Sequence, residues 1–153
     1  MILFAPLAGT VRNLADVPDP VFAERLLGGG VAIDPDPAGS ITAHAPCAGV
    51  VAKVFPGGHA IVIDGEAGPI LLHFGLETVE LHGEGLQPYV AEGDPVAAGA
   101  PLVEIQAAAL RGRGINLITP IVGIAAQSVR HLAPVGGPVA VGVPLLELLP
   151  AAT

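Results

Sequence analysis

The stretch HAIVIDGEAGPILLHFG, residues 59–75, decides the fold because it predicts two β-strands joined by a tight loop. HAIVID and PILLHFG are rich in apolar residues, and the Gly and Asp content of the intervening DGEAG is typical of a hairpin. With a three-residue loop over 65–67, His59 lies directly opposite His73, and β-carbons opposed in this way are about 4.5–5.5 Å apart on one face. A one-residue change of register would move the two histidines to opposite faces, so the prediction depends on the loop length.

Outside the hairpin, the chain repeats two short patterns. Pro-x-x-Gly followed by apolar residues occurs in APLAGTV at 5–11, APCAGVV at 45–51 and TPIVGIA at 119–125. A second pattern occurs in GDPVAAGAPLVEI at 93–105 and GGPVAVGVPLLEL at 136–148, where one strand-like run ends at a glycine turn and another follows the proline. The sequence therefore predicts an all-β fold, an antiparallel β-sandwich or flattened barrel with internal duplication.

Two segments interrupt the strands with short helical turns. Asp19 and Pro20 before VFAERLL predict a helix start, with Asp as the N-cap and Pro in the first turn, and QAAALRGRG at 106–114 predicts one further turn. No linker divides the chain, so we expect residues 1–153 to form a single domain.

Composition excludes several classes of protein. Hydrophobic residues make up 52% of the chain and charged residues 13%, and 21 Gly with 16 Pro leave no room for long helices. Uncharged runs fall short of the ~18 residues that a membrane-spanning helix needs. The start of the chain, MILFAPLAGT, lacks the basic and continuous apolar regions of a signal peptide. We therefore expect a cytoplasmic protein, and a single cysteine, Cys47, agrees with a reducing compartment.

The formal net charge of −8 argues against nucleic acid and anionic membranes as partners. A basic protein partner fits better.

Two neighbouring imidazoles allow several kinds of site. One ring can attack phosphorus while its other nitrogen is held by a hydrogen bond, and the second ring can stabilise charge on the phosphoryl oxygens. The same pair could bind zinc, but a catalytic zinc normally has a third protein ligand, and the sequence offers no obvious one. Both histidines could also simply fill half-buried strand positions, and the spacing alone does not decide between these interpretations.

The run LLHFGLETVELHGEGL at 71–86 closely resembles the active-site signature of the glucose-type enzyme IIA components of the bacterial sugar phosphotransferase system. The resemblance extends in order over essentially the whole chain, through LFAPLAGTV at 3–11, DVPDPVFAERLLGGGVAIDP at 16–35, APCAGVV at 45–51, GGHAIVI at 57–63 and the closing V-x-x-G-x-P-L-x-E-L. It implies an antiparallel β-sandwich with no cofactor, and no enzyme IIB or IIC domain is expected in this chain.

The resemblance also ranks the two histidines. It implies that His73 accepts a phosphoryl group from the histidine-containing phosphocarrier protein, and that His59 supports the transfer geometry. The phosphoryl group then passes to a cysteine of an enzyme IIB domain of a membrane sugar permease, with glucose or N-acetylglucosamine as the expected sugar. Gly57 and Gly58 replace the Thr-Asn that often precedes the upstream histidine, so a hydroxyl contribution to the site is absent here.

The resemblance further implies an apolar docking face with acidic residues that meet arginines of the partners: Asp19, Val21, Phe22, Glu77 and Glu80. Phe74 follows His73 and so points to the other face of a regular strand, into the core. Packing or surface roles are expected for His44, His82 and His131, although His82 lies where relatives often carry lysine. Cys47 is expected to be a small buried or half-buried residue and not the enzyme IIB nucleophile.

Two other classes remain as alternatives. Lipoyl and biotinyl carrier domains need a modified lysine at a hairpin tip, whereas the one lysine, Lys53, lies inside the strand-like VVAKVF. Zinc hydrolases of the lysostaphin type need His-x-x-x-Asp and His-x-His spacings, and Asp64 follows His59 one position too late.

Overall fold

The computed structural model describes residues 1–126 and 128–149. It contains two short helices, α1 (Pro20–Ala23) and α2 (Ala107–Gly112), and 3₁₀ turns at Leu14–Asp16, Pro56–Gly58 and Thr78–Leu81. The strands are β1 (Ile2–Phe4), β2 (Gly9–Asn13), β3 (Gly30–Pro35), β4 (Ile41–His44), β5 (Gly49–Val54), β6 (Ala60–Gly65), β7 (Gly68–His73), β8 (Leu86–Pro88), β9 (Pro95–Val96), β10 (Pro101–Ile105), β11 (Thr119–Gly123), β12 (Val129–His131), β13 (Pro138–Val139) and β14 (Pro144–Leu148).

All strand pairs are antiparallel and form three sheets, which confirms the predicted fold class. The large sheet has the order β13-β2-β3-β11-β7-β6-β5-β9, and the two small sheets have the orders β1-β14-β12 and β4-β10-β8. The order of the large sheet is symmetric about its centre: β11, β3, β2 and β13 follow one another on one side as β7, β6, β5 and β9 do on the other. The small sheets exchange in the same way, so the chain is two related halves around a pseudo-twofold axis between β7 and β11.

Equivalent hydrogen bonds join the two halves near this axis. The amide of Phe4 donates to the carbonyl of Pro46 at 2.9 Å, and the amide of His44 donates to the carbonyl of Pro6 at 2.8 Å. The internal duplication predicted from the repeated Pro-x-x-Gly patterns is therefore present in the backbone.

Two hydrophobic clusters lie on opposite faces of the large sheet. The main core between the sheets contains Ile70, Leu72 and Phe74, whereas Leu71 belongs to a second cluster on the outer face that also contains Phe22. Because successive strand residues alternate between faces, His73 follows Leu71 to the outer face. Phe74 is fully buried in the main core, as predicted.

The predicted register of the central hairpin is wrong by one residue. The loop between β6 and β7 has two residues, Glu66 and Ala67, and Ala60 rather than His59 lies opposite His73. Gly68 has a φ of 112°, a value open to glycine, and this lets the chain turn back within two residues. His59 lies just before β6, at the end of a 3₁₀ turn.

The helix start at Asp19 is as predicted, but the helix is shorter than VFAERLL. The Asp19 carboxylate accepts a hydrogen bond from the Val21 amide at 3.0 Å, and α1 ends at Ala23. Arg25 has a left-handed φ of 55°, which a helix cannot continue through. The second predicted turn, at 106–114, contains α2.

No helix in the described part of the chain combines the length and apolar character needed to cross a membrane.

Gly49 fills a position with no space for a side chain, because a β-carbon there would overlap the carbonyl oxygen of Asp64. We predict that Gly49→Ala lowers the free energy of unfolding by about 3 kcal/mol, since backbone of the β5–β6 pair must move to make room. Denaturant unfolding with an unchanged m-value measures the loss. Gly39→Ala is the matched control, because no atom lies within 4 Å of its β-carbon position. Equal stabilities of the two variants would contradict the prediction.

Candidate functional site

His73 ends β7 and is half-buried on the outer face of the large sheet. Its Nδ1 lies 2.6 Å from the carbonyl oxygen of Gly75. A carbonyl can only accept a hydrogen bond, so Nδ1 carries the proton and the neutral ring has its lone pair on Nε2. Nε2 is therefore the nucleophilic nitrogen of His73.

His59 has the same tautomer for the same reason. It caps the 3₁₀ turn Pro56–Gly58 with φ −71° and ψ −20°, and its Nδ1 donates to the carbonyl of Pro56 at 2.8 Å. The side chain is 6% exposed, far less than a surface histidine. In its neutral form His59 therefore has its lone pair on Nε2, and the hydrogen bond fixes the orientation of the ring.

The two rings are neighbours although their residues are not paired. The centroids of His59 and His73 lie 5.5 Å apart with an interplanar angle of 72°. The amide of Phe74 donates to the carbonyl of His59, which places the His59 backbone beside Phe74. Because His59 has helical rather than extended dihedral angles, the alternation of strand faces does not apply to it, and its ring reaches the face of His73.

Two phenylalanines pack against the imidazoles. Phe22 contacts His73 with ring centroids 5.2 Å apart, and Phe55 contacts His59 at 5.7 Å. Phe55 is not among the residues predicted from the sequence, although its place just before Pro56 and the two glycines that lead to His59 was an available signal. These contacts hold the rings against the second hydrophobic cluster. Phe22 is a member of that cluster, and Phe55 packs against it.

Burial lowers the pKa of His73 below its ordinary value. The hydrogen bond to Gly75 opposes this effect by stabilising the imidazolium, nearby His59 adds to it, and the charge of Asp19 opposes it. The net result is a neutral, nucleophilic His73 at pH 7.

The predicted docking residues differ in how deeply they are buried. Val21, Glu77 and Glu80 are exposed, and Asp19 is half-buried near enough to His73 to affect its charge. Phe22 is only 4% exposed, so it supports the face from beneath rather than forming its surface. Asp19 and Glu77 also line a polar cleft of about 230 Å³, with Pro18, Leu76, Gly114, Ile115 and Asn116.

The other histidines do not join this pair. His44 is half-buried in β4, and its Nδ1 has no hydrogen-bond partner in the described structure. His82 is exposed with a left-handed φ of 52°, and its carbonyl carbon lies 3.2 Å from where a β-carbon at Gly57 would be. His131 is exposed.

Cys47 is buried, as predicted, and burial raises the pKa of its thiol. The thiol is therefore in its poorly nucleophilic protonated form at neutral pH.

The features needed by the alternative classes are not found where those classes need them. Lys53 lies within β5 and forms an exposed ion pair with Glu92 at 3.7 Å, so it is not at a hairpin tip. Within residues 1–126 and 128–149, no three or more His, Cys, Asp or Glu side chains are arranged to hold a metal ion. Fold and site together define a class of small antiparallel β-sandwich with two adjoining imidazoles on the outer face of its large sheet.

Comparison with known proteins identifies the family. Residues 1–129 match the family model for the phosphoenolpyruvate-dependent sugar phosphotransferase system, EIIA 1. The chain therefore belongs to this family. As a member, it is a phosphotransferase component that acts as a phosphocarrier in sugar uptake.

Several relatives share most of the chain. The glucose-specific EIIA component of Bacillus cereus is 44% identical over 121 residues, which are 78% of this chain and 72% of the relative. The EIIA component of Halalkalibacterium halodurans is 41% identical over 122 residues, 79% of this chain and 69% of the relative. The solved glucose permease IIA from Mycoplasma capricolum superposes with a TM-score of 0.84 and 34% identity, covering 95% of this chain and 94% of that one.

The electrostatic surroundings of His73 predict a specific titration. We expect its pKa to lie below the ordinary value of about 6.5, and Asp19→Asn to lower it further, because the lost carboxylate charge stabilised the imidazolium. Asparagine still caps α1, so the helix is retained. Histidine NMR shifts followed against pH measure the effect, with Asp16→Asn as a control outside the site. A wild-type His73 that titrates above its ordinary value would contradict this prediction.

Proposed function

We propose that His73 accepts a phosphoryl group on Nε2 from the histidine-containing phosphocarrier protein and passes it to a cysteine of an enzyme IIB domain. The observation that carries this assignment is the hydrogen bond from His73 Nδ1 to the Gly75 carbonyl, which leaves Nε2 with its lone pair on a half-buried ring. His59 has the same tautomer but is nearly closed to solvent, so an approaching phosphoryl donor meets His73 first.

Both steps are displacements at phosphorus. In the first, Nε2 of His73 forms a bond to phosphorus as the nitrogen–phosphorus bond of the donor breaks, and the electron pair returns to the donor imidazole. In the second, the partner's thiolate attacks, and the pair of the breaking bond returns to Nε2 of His73. Neither step needs a nucleotide or a metal ion.

His59 stabilises the loaded state in this proposal. Its Nε2 is free because Nδ1 is held by Pro56, and the phosphoryl group on His73 brings negative charge beside it. When Nε2 of His59 carries a proton, its N–H can donate to a phosphoryl oxygen. His59 is therefore the helper and His73 the carrier.

The surface around the pair supports docking of basic partners. Val21 is 38% exposed and precedes Phe22, which packs on His73, while Asp19, Glu77 and Glu80 are carboxylates able to meet arginines. Charges at the rim of an interface act mainly on orientation and association rate. Such docking would weaken as salt is added, because screening shortens the reach of exposed charges.

The relatives support the choice of partners. The Staphylococcus carnosus protein named glucose-specific EIICBA component is 41% identical over 122 residues, which are 79% of this chain but 18% of that protein. The name combines IIA with the IIB and IIC parts, which supports an enzyme IIB domain as the acceptor. We propose that this chain meets its partners in the cytoplasm as a single IIA domain, with glucose or N-acetylglucosamine as the transported sugar.

Removal of the carrier imidazole should abolish loading. We predict that His73→Ala takes up no phosphoryl group when incubated with phosphoenolpyruvate, enzyme I and the phosphocarrier protein, whereas wild type gains an acid-labile phosphate on His73. Intact mass spectrometry and peptide mapping give the readout. His131→Ala, at an exposed residue away from the pair, is the control and should load normally. Equal loading of His73→Ala would overturn the assignment.

Removal of the helper should separate the two steps. We predict that His59→Gln is still phosphorylated on His73 but transfers the group onward about 100-fold more slowly, because a charge-stabilising donor is lost from the transition state. Quench-flow measurement of transfer to an isolated enzyme IIB domain tests this. A variant with normal onward transfer would show that His59 has no such role.

A further inference from the structure

The peptide group between Gly75 and Leu76 is held on both sides. Its carbonyl accepts the Nδ1–H of His73 at 2.6 Å, and its N–H donates to the backbone carbonyl of Asn116 at 2.9 Å. Because the peptide unit is planar, fixing the N–H also fixes the direction of the carbonyl. The partner that selects the His73 tautomer is thus oriented by Asn116.

Asn116 in turn is fixed by its own side chain. Its Oδ1 accepts a hydrogen bond from the Ile118 amide at 3.0 Å, which forms an Asx turn. The residues after it are anchored: Leu117 and Ile118 are buried, and the Thr119 hydroxyl donates to the Leu117 carbonyl at 2.9 Å. The side chain of Asn116 therefore holds its backbone carbonyl in place for Leu76.

Gly75 makes the contact close. It has a left-handed φ of 80°, and a β-carbon there would lie 3.0 Å from the Asn116 carbonyl oxygen and 2.9 Å from Cγ2 of Thr78. Only glycine fits here without displacing the Asn116 loop or the Thr78 side chain.

We propose that Asn116 is a positioning residue for His73, which sets the tautomer of the imidazole through the Gly75–Leu76 peptide. Donation of the peptide N–H to Asn116 also polarises the peptide, so its carbonyl is a better acceptor for the Nδ1–H. The Asn116 side chain touches neither reacting atom. Its effect on phosphoryl transfer rests on the proposed role of His73 as carrier, whereas its effect on the tautomer does not.

The tautomer matters because only one form can attack phosphorus through Nε2. When the proton is on Nδ1, Nε2 has the lone pair that forms the new bond. When the proton moves to Nε2, that nitrogen is no longer a nucleophile. A Gly75 carbonyl that is held less firmly in position therefore reduces the fraction of His73 in the reactive Nδ1–H tautomer without removing the imidazole.

The test compares Asn116→Ala, Asn116→Ser and Asp94→Ala with wild type. Asn116 is exposed, so neither substitution opens a cavity in the core. Serine retains an oxygen that can accept from the Ile118 amide, though more weakly than asparagine. Asp94→Ala is the matched control, because Asp94 makes a comparable side-chain hydrogen bond, from the Ala91 amide at 2.9 Å, in the loop before β9.

Long-range proton–nitrogen NMR correlations of His73, recorded above its titration range, distinguish the two tautomers. We expect wild type and Asp94→Ala to be in the Nδ1–H form, Asn116→Ala to give averaged nitrogen shifts, and Asn116→Ser to lie between. Transfer from the phosphocarrier protein to Asn116→Ala should be about tenfold slower, as expected for a small misplacement of a reacting group.

Unchanged His73 nitrogen shifts in Asn116→Ala would overturn this proposal, as would an equal change in Asp94→Ala. A slower transfer with wild-type shifts would likewise overturn it, because it would show a structural role only. Failure of wild type to load His73 would instead overturn the proposed function, and the NMR result would still decide the role of Asn116 in the tautomer.

Discussion

The pairing of β7 with β11 is the interaction on which both halves of the sandwich depend. Ile121 in β11 lies opposite Leu72 in β7 at the pseudo-twofold axis. On their other edges β11 pairs with β3 and β7 pairs with β6, so each strand connects to its own half of the sheet. Both residues are fully buried, so the axis lies in the main core. A sheet joined in this way leaves its outer face continuous across the axis, and the histidine pair lies on that face.

The two halves have the same backbone arrangement but different side chains at corresponding positions. In one half Ala60 is paired with His73, and at the corresponding place in the other half Gly30 is paired with Val122. The residue before Gly30 is Gly29, whereas the residue before Ala60 in the other half is His59. The duplicated halves therefore have the same strand pairing, whereas the imidazoles and the phenylalanines that pack on them occur at one of the two corresponding positions. The buried Val122 belongs to the same outer cluster as Phe22, so the second half serves the site as packing.

The sequence predicted the fold class, the duplication, the cap at Asp19 and the burial of Phe74, because each depends on local pattern. It also predicted that the imidazoles adjoin, but by an incorrect pairing. The two-residue turn at Glu66 and Ala67 depends on the φ of Gly68, which glycine content alone does not specify. The proposed role of Asn116 could not be predicted, because its backbone carbonyl contacts the Leu76 amide, about 40 residues away along the chain, and the sequence has no pattern that pairs the two positions.

The tautomers have a consequence for the kind of anion that the histidine pair accepts. Both rings give their Nδ1 protons to backbone carbonyls, so in the empty neutral site neither ring offers an N–H from Nε2 to an anion. Inorganic phosphate, which competes for cationic pockets, finds no imidazole donor there. In the proposed function a phosphoryl group enters by forming a covalent bond to His73 Nε2, and this step needs a lone pair on that nitrogen rather than an N–H donor. The two tautomers therefore favour a covalently bound phosphoryl group over a free anion at the same place.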